Sequence, residues 1–142
     1  MVKENVEVIF LSKILGAMEE PSAQQLTLYL PNKDKNGKIV KNINKWVKEA
    51  QKVLITIGGG STAMPPADGS WLDPEKASND DFEKDIVWEK TRIVYTFIEP
   101  DKFESNLSLL RDFLHRFGRE TNQGEVVFEF DGKFYRIREY DK

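Results

Sequence analysis

Apolar and polar residues alternate at Leu26, Leu28 and Leu30, and again, more densely, from Ile86 to Glu99. Alternation sends successive side chains to opposite faces of a strand, whereas recurrence every three or four residues lines one face of a helix. Leu11, Ile14, Leu15 and Met18 follow the second rule and predict a helix over about residues 5–19, closed by Glu19, Glu20 and Pro21, although the alternation of Val6, Val8 and Phe10 makes a strand the competing choice. Ile43, Trp46, Val47, Ala50, Val53, Leu54 and Ile57 predict a longer helix, capped by Asn42 and stopped at Gly58, with a β-branched tail that also suits a strand. A short strand is expected at Gly69–Leu72 and an acidic loop from Pro74 to Lys84. The last helix opens with Asp101 as cap and Glu104 three residues on, buries Phe103, Leu107, Leu110 and Leu114, and stops at Gly118. Asp131-Gly132 then lies between two alternating runs, and the two positive φ values of a type I′ turn suit that dipeptide. The resulting hairpin pairs Phe130 with Lys133, Phe128 with Tyr135, Val126 with Ile137 and, at its open end, Glu125 with Arg138.

Strand, helix, strand, long strand, helix and hairpin in that order predict an α+β fold of ferredoxin-like, split βαβ type: an antiparallel sheet with two helices on one face, a C-terminal β-hairpin and an N-terminal helix. Residues 1–22 form an N-terminal helical segment and residues 23–142 a single domain. Two helices cover one face only. Tyr29, Val94, Ile98, Val127 and Phe134 are expected on the other, to be covered by the N-terminal helix, a second subunit or a ligand. A homodimer is the expected assembly.

Composition narrows the chemistry. The chain has no cysteine, which excludes thiolate chemistry and disulfides, and one histidine, which excludes a His-rich metal cluster within one subunit. A net charge of −3 gives no bulk attraction to nucleic acid or to an anionic membrane. The mixed charges and short apolar run of the first residues match neither a secretory leader nor a membrane span, so a cytoplasmic protein without membrane contact is expected. No cofactor is implied.

Gly58-Gly59-Gly60-Ser61-Thr62 invites comparison with a phosphate-binding loop, but glycines that follow a helix face the negative end of its dipole, and no Walker lysine is present. A helix stop and reversal is the better reading. Arg119, Gln123 and Glu125 cluster where the last helix meets the hairpin, with Glu89, Trp71 and Tyr135 as residues that strand geometry would bring near. Two carboxylates, Glu89 and Glu125, converging there would suit general acid-base hydrolysis of a phosphate or glycosidic substrate. Trp71, Arg119, Gln123 and Tyr135 are the expected small-molecule contacts. Arg111, His115 and Arg119 make a basic line that reads as a solvated helix face, with His115 free at the surface and nucleic-acid binding disfavoured. The preferred function is a non-enzymatic binding or interaction domain that self-associates through the open sheet face, the carboxylate-pair hydrolase being the alternative.

From about Leu26 to the C-terminus, the segments NGKIVKNINKW, GSW, IVWEKTRIVYTFIEP and FGRETNQGEVVF resemble an uncharacterised bacterial family of small ferredoxin-like α+β domains, related in shape to dimeric α/β-barrel proteins. The GGGSTAMPPAD loop, the acidic insertion and the long C-terminal hairpin depart from that pattern. The resemblance implies the fold and carries no activity.

Overall fold

A computed structural model describes residues 10–18, 24–73, 82–98 and 100–142. Its sheet is built from β1 (Gln24–Pro31), β2 (Thr62–Ala63), β3 (Ala67–Leu72), β4 (Ile86–Ile98), β5 (Val126–Phe130) and β6 (Lys133–Ile137), and its two long helices are α1 (Ile43–Gly58) and α2 (Leu107–Glu120). All pairings are antiparallel in the order β2-β4-β1-β5-β6, with β3 also on the outer edge of β4. That is the α+β, split βαβ arrangement expected, with a hairpin strand added at one edge.

The register decides what is buried. Leu28 lies opposite both Val94 and Phe128, and directly opposed residues project to the same face. Leu26, Leu28, Leu30, Val94, Ile98 and Val126 therefore meet α1 and α2, and all are 0–1% exposed. Val94 and Ile98 were expected on the rear face. They are helix-side core instead, because they share the parity of their partners in the leucine strand. The rear face carries Tyr29, Ile93, Tyr95, Phe97, Val127 and Phe134, with Tyr29 stacked on Phe134 and Tyr95 edge-on to Phe97. Phe97 and Phe134 remain 53% and 61% exposed.

Residues 10–15 are helical, and Phe10, Ile14, Leu15 and Met18 stand in solvent rather than on the sheet. The rest of the helix expected over 5–19 lies outside the described residues, as do residues 74–81 of the acidic loop; residues 82–85 form a single 3-10 turn.

Helix boundaries moved for identifiable reasons. Asn42 makes no side-chain cap; its carbonyl alone accepts from the Lys45 and Trp46 amides. Gly59, not Gly58, takes the left-handed position after α1 (φ 84°) and donates to the Ile55 carbonyl. Gly58 is still helical, and its bare Cα lies against Thr96 and the Phe97 carbonyl. The last helix does not begin at Asp101: a turn at Pro100–Phe103 and a 3-10 turn at Glu104–Asn106 precede α2, and Leu107 is exposed. It also runs past Gly118 to Glu120, the left-handed Asn122 (φ 54°) making the stop. Gly118 is needed for a different reason. A Cβ there would overlap the Tyr140 ring, which returns from the chain end to lie on α2 and donates its hydroxyl to the Gln123 carbonyl at 3.0 Å.

The hairpin register is the one the Asp131-Gly132 turn predicts, with both turn residues at positive φ. Glu125, however, forms its ion pair with Arg136 (3.1 Å), not with Arg138, because β6 ends at Ile137 and the chain then turns toward α2. The Gly118–Tyr140 contact gives a clear test. Gly118→Ala should destabilise the domain by about 1–3 kcal/mol in urea unfolding, and most of that loss should vanish when Tyr140→Ala is introduced as well.

Candidate functional site

β3 and β4 bring one pair of the expected site residues together. Gly69 faces Glu89 and Trp71 faces Val87, so the Trp71 indole stands diagonally beside the Glu89 carboxylate on the rear face. The indole N–H lies near enough to that carboxylate to favour its charged form. A side chain at position 69 would collide with the Thr91 hydroxyl and crowd Glu89 Cγ, so the glycine leaves the room in which Glu89 lies. Burial pushes the Glu89 carboxyl above the usual range, and the Trp71 indole and the positive charge of Lys33 offset this only in part.

Lys33 is placed by the loop after β1. Asn32 continues the β1–β4 pairing, its amide donating to the Lys90 carbonyl (3.0 Å) and its side-chain oxygen accepting from the Lys90 amide (2.8 Å). Lys33 Nζ then donates to the Trp88 carbonyl at 2.6 Å, beside the Glu89 strand. Gln123 holds the same loop from the other side: it is buried, and its amide donates to the Lys33 carbonyl (3.1 Å) and the Thr121 hydroxyl (3.1 Å). Gln123 was expected to contact ligand; the structure uses its amide to fasten this loop.

The remaining site residues do not converge on Glu89. Glu125 precedes β5, two strand spacings from β4, which is about 10 Å across the sheet. Its partner is Arg136. Tyr135 stacks on Phe128 at 5.2 Å, on the helix side of the sheet, while Trp71 is on the rear. Trp88 is exposed, and Trp46 is core, edge-on to Phe113 and Phe117. Arg119 donates to the Asp141 carbonyl.

That last contact belongs to a cluster that the residue pattern left unread. Arg111 grips the Asp141 carboxylate with two nitrogens (2.8 and 2.9 Å), and the Asp141 amide donates to His115 Nδ1 (2.8 Å). The Arg111 hydrogen bond holds the Asp141 carboxyl below its ordinary range, while burial raises the Tyr140 phenol to about 12 with Glu125 adding to the shift. The basic line of the last helix is thus a clamp for the chain end, and His115 is buried rather than free. An acidic residue beyond the hairpin, facing a basic helix line, was the available signal.

Among the described residues no three His, Asp or Glu side chains converge as a metal ion would require, and no helix is long and apolar enough to cross a membrane. Open clefts of about 220 and 780 Å³ border the 34–42 loop and the lysine face of α1. Neither is lined by Glu89 or Trp71; that pair stands out by its chemistry, not by concavity.

No family model and no curated protein matches the chain. Two solved structures share its fold: a phage SAM lyase in complex with S-methyl-5'-thioadenosine (12% identity, TM-score 0.56, covering 87% of this chain and 97% of that one) and a phage SAM lyase in its apo state (11%, 0.56, 89% and 99%). At such identity the likeness establishes architecture. It also corrects the expectation of a non-enzymatic interaction domain, since the architecture from which that role was argued is one on which an enzyme is built.

The raised Glu89 pKa has a definite sign in stability. A carboxyl that holds its proton more tightly when folded contributes stability below its ordinary value of 4.5, and loses it as pH rises through the raised folded value. Melting temperatures of the wild type and Glu89→Gln should therefore agree near pH 4 and diverge above it, the variant becoming relatively more stable. A constant difference from pH 4 to 8 would contradict the burial of this group.

Proposed function

We propose that this chain is an enzyme acting on an adenosyl sulfonium, and that it releases S-methyl-5'-thioadenosine from S-adenosylmethionine (SAM) without adding water. The observation that carries the reading is the part-buried Glu89 carboxylate diagonally beside Trp71 on the β3–β4 pair, with Lys33 near it, on a sheet of the same architecture as the phage SAM lyase. Opposite charges side by side suit an amino-acid zwitterion, Glu89 taking the ammonium and Lys33 the carboxylate of the substrate's aminobutyryl chain. The Trp71 face suits a sulfonium, which has a fixed positive charge and no hydrogen to donate.

S-Methyl-5'-thioadenosine is SAM without that chain, so the bond that breaks joins sulfur to the chain's γ-carbon. The bonding pair stays on sulfur, which leaves as a neutral thioether. With no water added, the vacated carbon is satisfied from within the substrate, by an oxygen of its own carboxylate closing a ring or by loss of a proton from the adjacent carbon. Charge at sulfur is lost in this step, and a desolvated site that solvates the sulfonium less well than water favours that loss. Anchoring the two ends of the chain limits it to reactive conformations.

Chromatography of the purified protein incubated with SAM should reveal S-methyl-5'-thioadenosine. The rate should rise with pH through the elevated Glu89 pKa, because the ionised carboxylate is the form that binds the ammonium. Glu89→Gln should slow release by roughly 10²-fold or more. Absence of the thioether product across pH 6–9 from a folded wild type would refute the proposal.

A further inference from the structure

We infer that Gln123, in the turn between α2 and β5, is a positioning residue for the Glu89 site: its side-chain amide fixes where the Lys33 ammonium stands. β1 pairs with β4 as far as Pro31 opposite Thr91, and the two Asn32–Lys90 bonds carry that register one step further. Lys33 comes next. It has the parity of Tyr29, so it belongs to the rear face with Glu89, and it is the cation whose charge acts on that carboxylate. The other described neighbours of Glu89 on that face are uncharged: Gly69 and Trp71 from β3, Val87 and Thr91 from β4 itself. The Asp68–Lys90 ion pair has the opposite parity.

What holds Lys33 lies away from the sheet. The Val40 amide donates to the Asn32 carbonyl (2.7 Å) and the Asp34 amide to the Lys38 carbonyl (2.8 Å), closing residues 32–40 into a small hairpin whose tip, residues 35–39, is exposed. Two bonds tie this hairpin to the turn after α2. The Lys35 amide donates to the Asn122 carbonyl (3.0 Å), and the Gln123 side chain donates to the Lys33 carbonyl (3.1 Å). The second acts at Lys33 itself. It sets the backbone from which Nζ reaches the Trp88 carbonyl beside Glu89.

Gln123 is rigid enough for this role. The left-handed Asn122 turns the chain, the Gln123 amide donates to the Gly118 carbonyl (2.9 Å), and its own carbonyl accepts from the Tyr140 hydroxyl (3.0 Å). Its buried side-chain nitrogen also donates to the Thr121 hydroxyl (3.1 Å), which in turn donates to the Phe117 carbonyl (2.6 Å). An apolar side chain of the same length would leave the Lys33 carbonyl without this donor, and the hairpin would be free to pivot about its Lys35 bond. With the ammonium displaced, less positive charge reaches Glu89, which then keeps its proton to higher pH. That the ammonium also meets a substrate carboxylate rests on the SAM reading above; the placement of Lys33 does not.

The test is a ¹³C NMR titration of the Glu89 carboxyl, its signal assigned by loss in Glu89→Gln. Gln123→Met should move the midpoint upward in pH, in the direction of Lys33→Met and by less, and should add nothing in a Lys33→Met background. With SAM as substrate, Gln123→Met should lower kcat/KM roughly tenfold, chiefly through KM. Should that variant not fold, Gln123→Asn keeps an amide but is one methylene too short to reach the Lys33 carbonyl, and the same shift is expected. A merely structural role would lower the melting temperature and leave the Glu89 titration in place. An unmoved midpoint in a folded variant overturns the inference, as does an equal shift when Lys33 is already absent. A wild type inert toward SAM refutes the proposed activity, while a shifted Glu89 midpoint would still support the placement of Lys33 by Gln123.

Discussion

The pairing of β1 with β4 in one register is the constraint on which the rest of the molecule depends. Leu26, Leu28 and Leu30 meet the parity of Val94 and Ile98, and burying an aliphatic side chain fully is worth roughly 1.5–3 kcal/mol. A slip by one residue would turn that set to solvent and bring Tyr29, Tyr95 and Phe97 under the helices. The same register commits the alternate set, which is nearly as apolar, to the rear. Because β4 runs on past the end of β1, it also carries Glu89 to the place where β3 supplies Gly69 and Trp71. Core, open face and candidate site are thus three consequences of one alignment.

Where a local rule had a local cause, the sequence could be read. The Asp131-Gly132 turn, the leucine strand and the α1 stripe all came from backbone preference or periodicity, and all stand. What could not be read had its cause elsewhere in the chain. Gly118 looks like a helix stop because glycine follows an apolar stripe, yet its reason is the Tyr140 ring, which arrives 22 residues later. Arg111, His115 and Arg119 look solvated because Asp141, the group they hold, lies beyond a hairpin. The division of β4 into faces failed similarly: both of its faces are apolar, so alternation within the strand could not say which one meets the helices. Of the site, Glu89 and Trp71 could each be named, but their adjacency depends on the β3–β4 register, and GSW is too short to display a period. Glu125 was grouped with Glu89 by analogy of type, and strand order separates them.

The setting of Glu89 differs from that of the ion-paired carboxylates. Several other carboxylates face a cation: Glu49 meets Arg116, Asp68 meets Lys90 and Asp141 meets Arg111. Asp141 shows the effect of such matching, since its partner holds its pKa down. Glu89 goes the other way. Lys33 stands near, but its ammonium donates to the Trp88 carbonyl, and burial outweighs what the indole and that charge return. Desolvation without full compensation is a cost that a threonine or valine at the same strand position would avoid, and the glycine opposite adds conformational entropy to the cost. The strand gains nothing in stability from this arrangement. A ligand that brings its own positive charge to the carboxylate supplies the compensation that the folded chain leaves out.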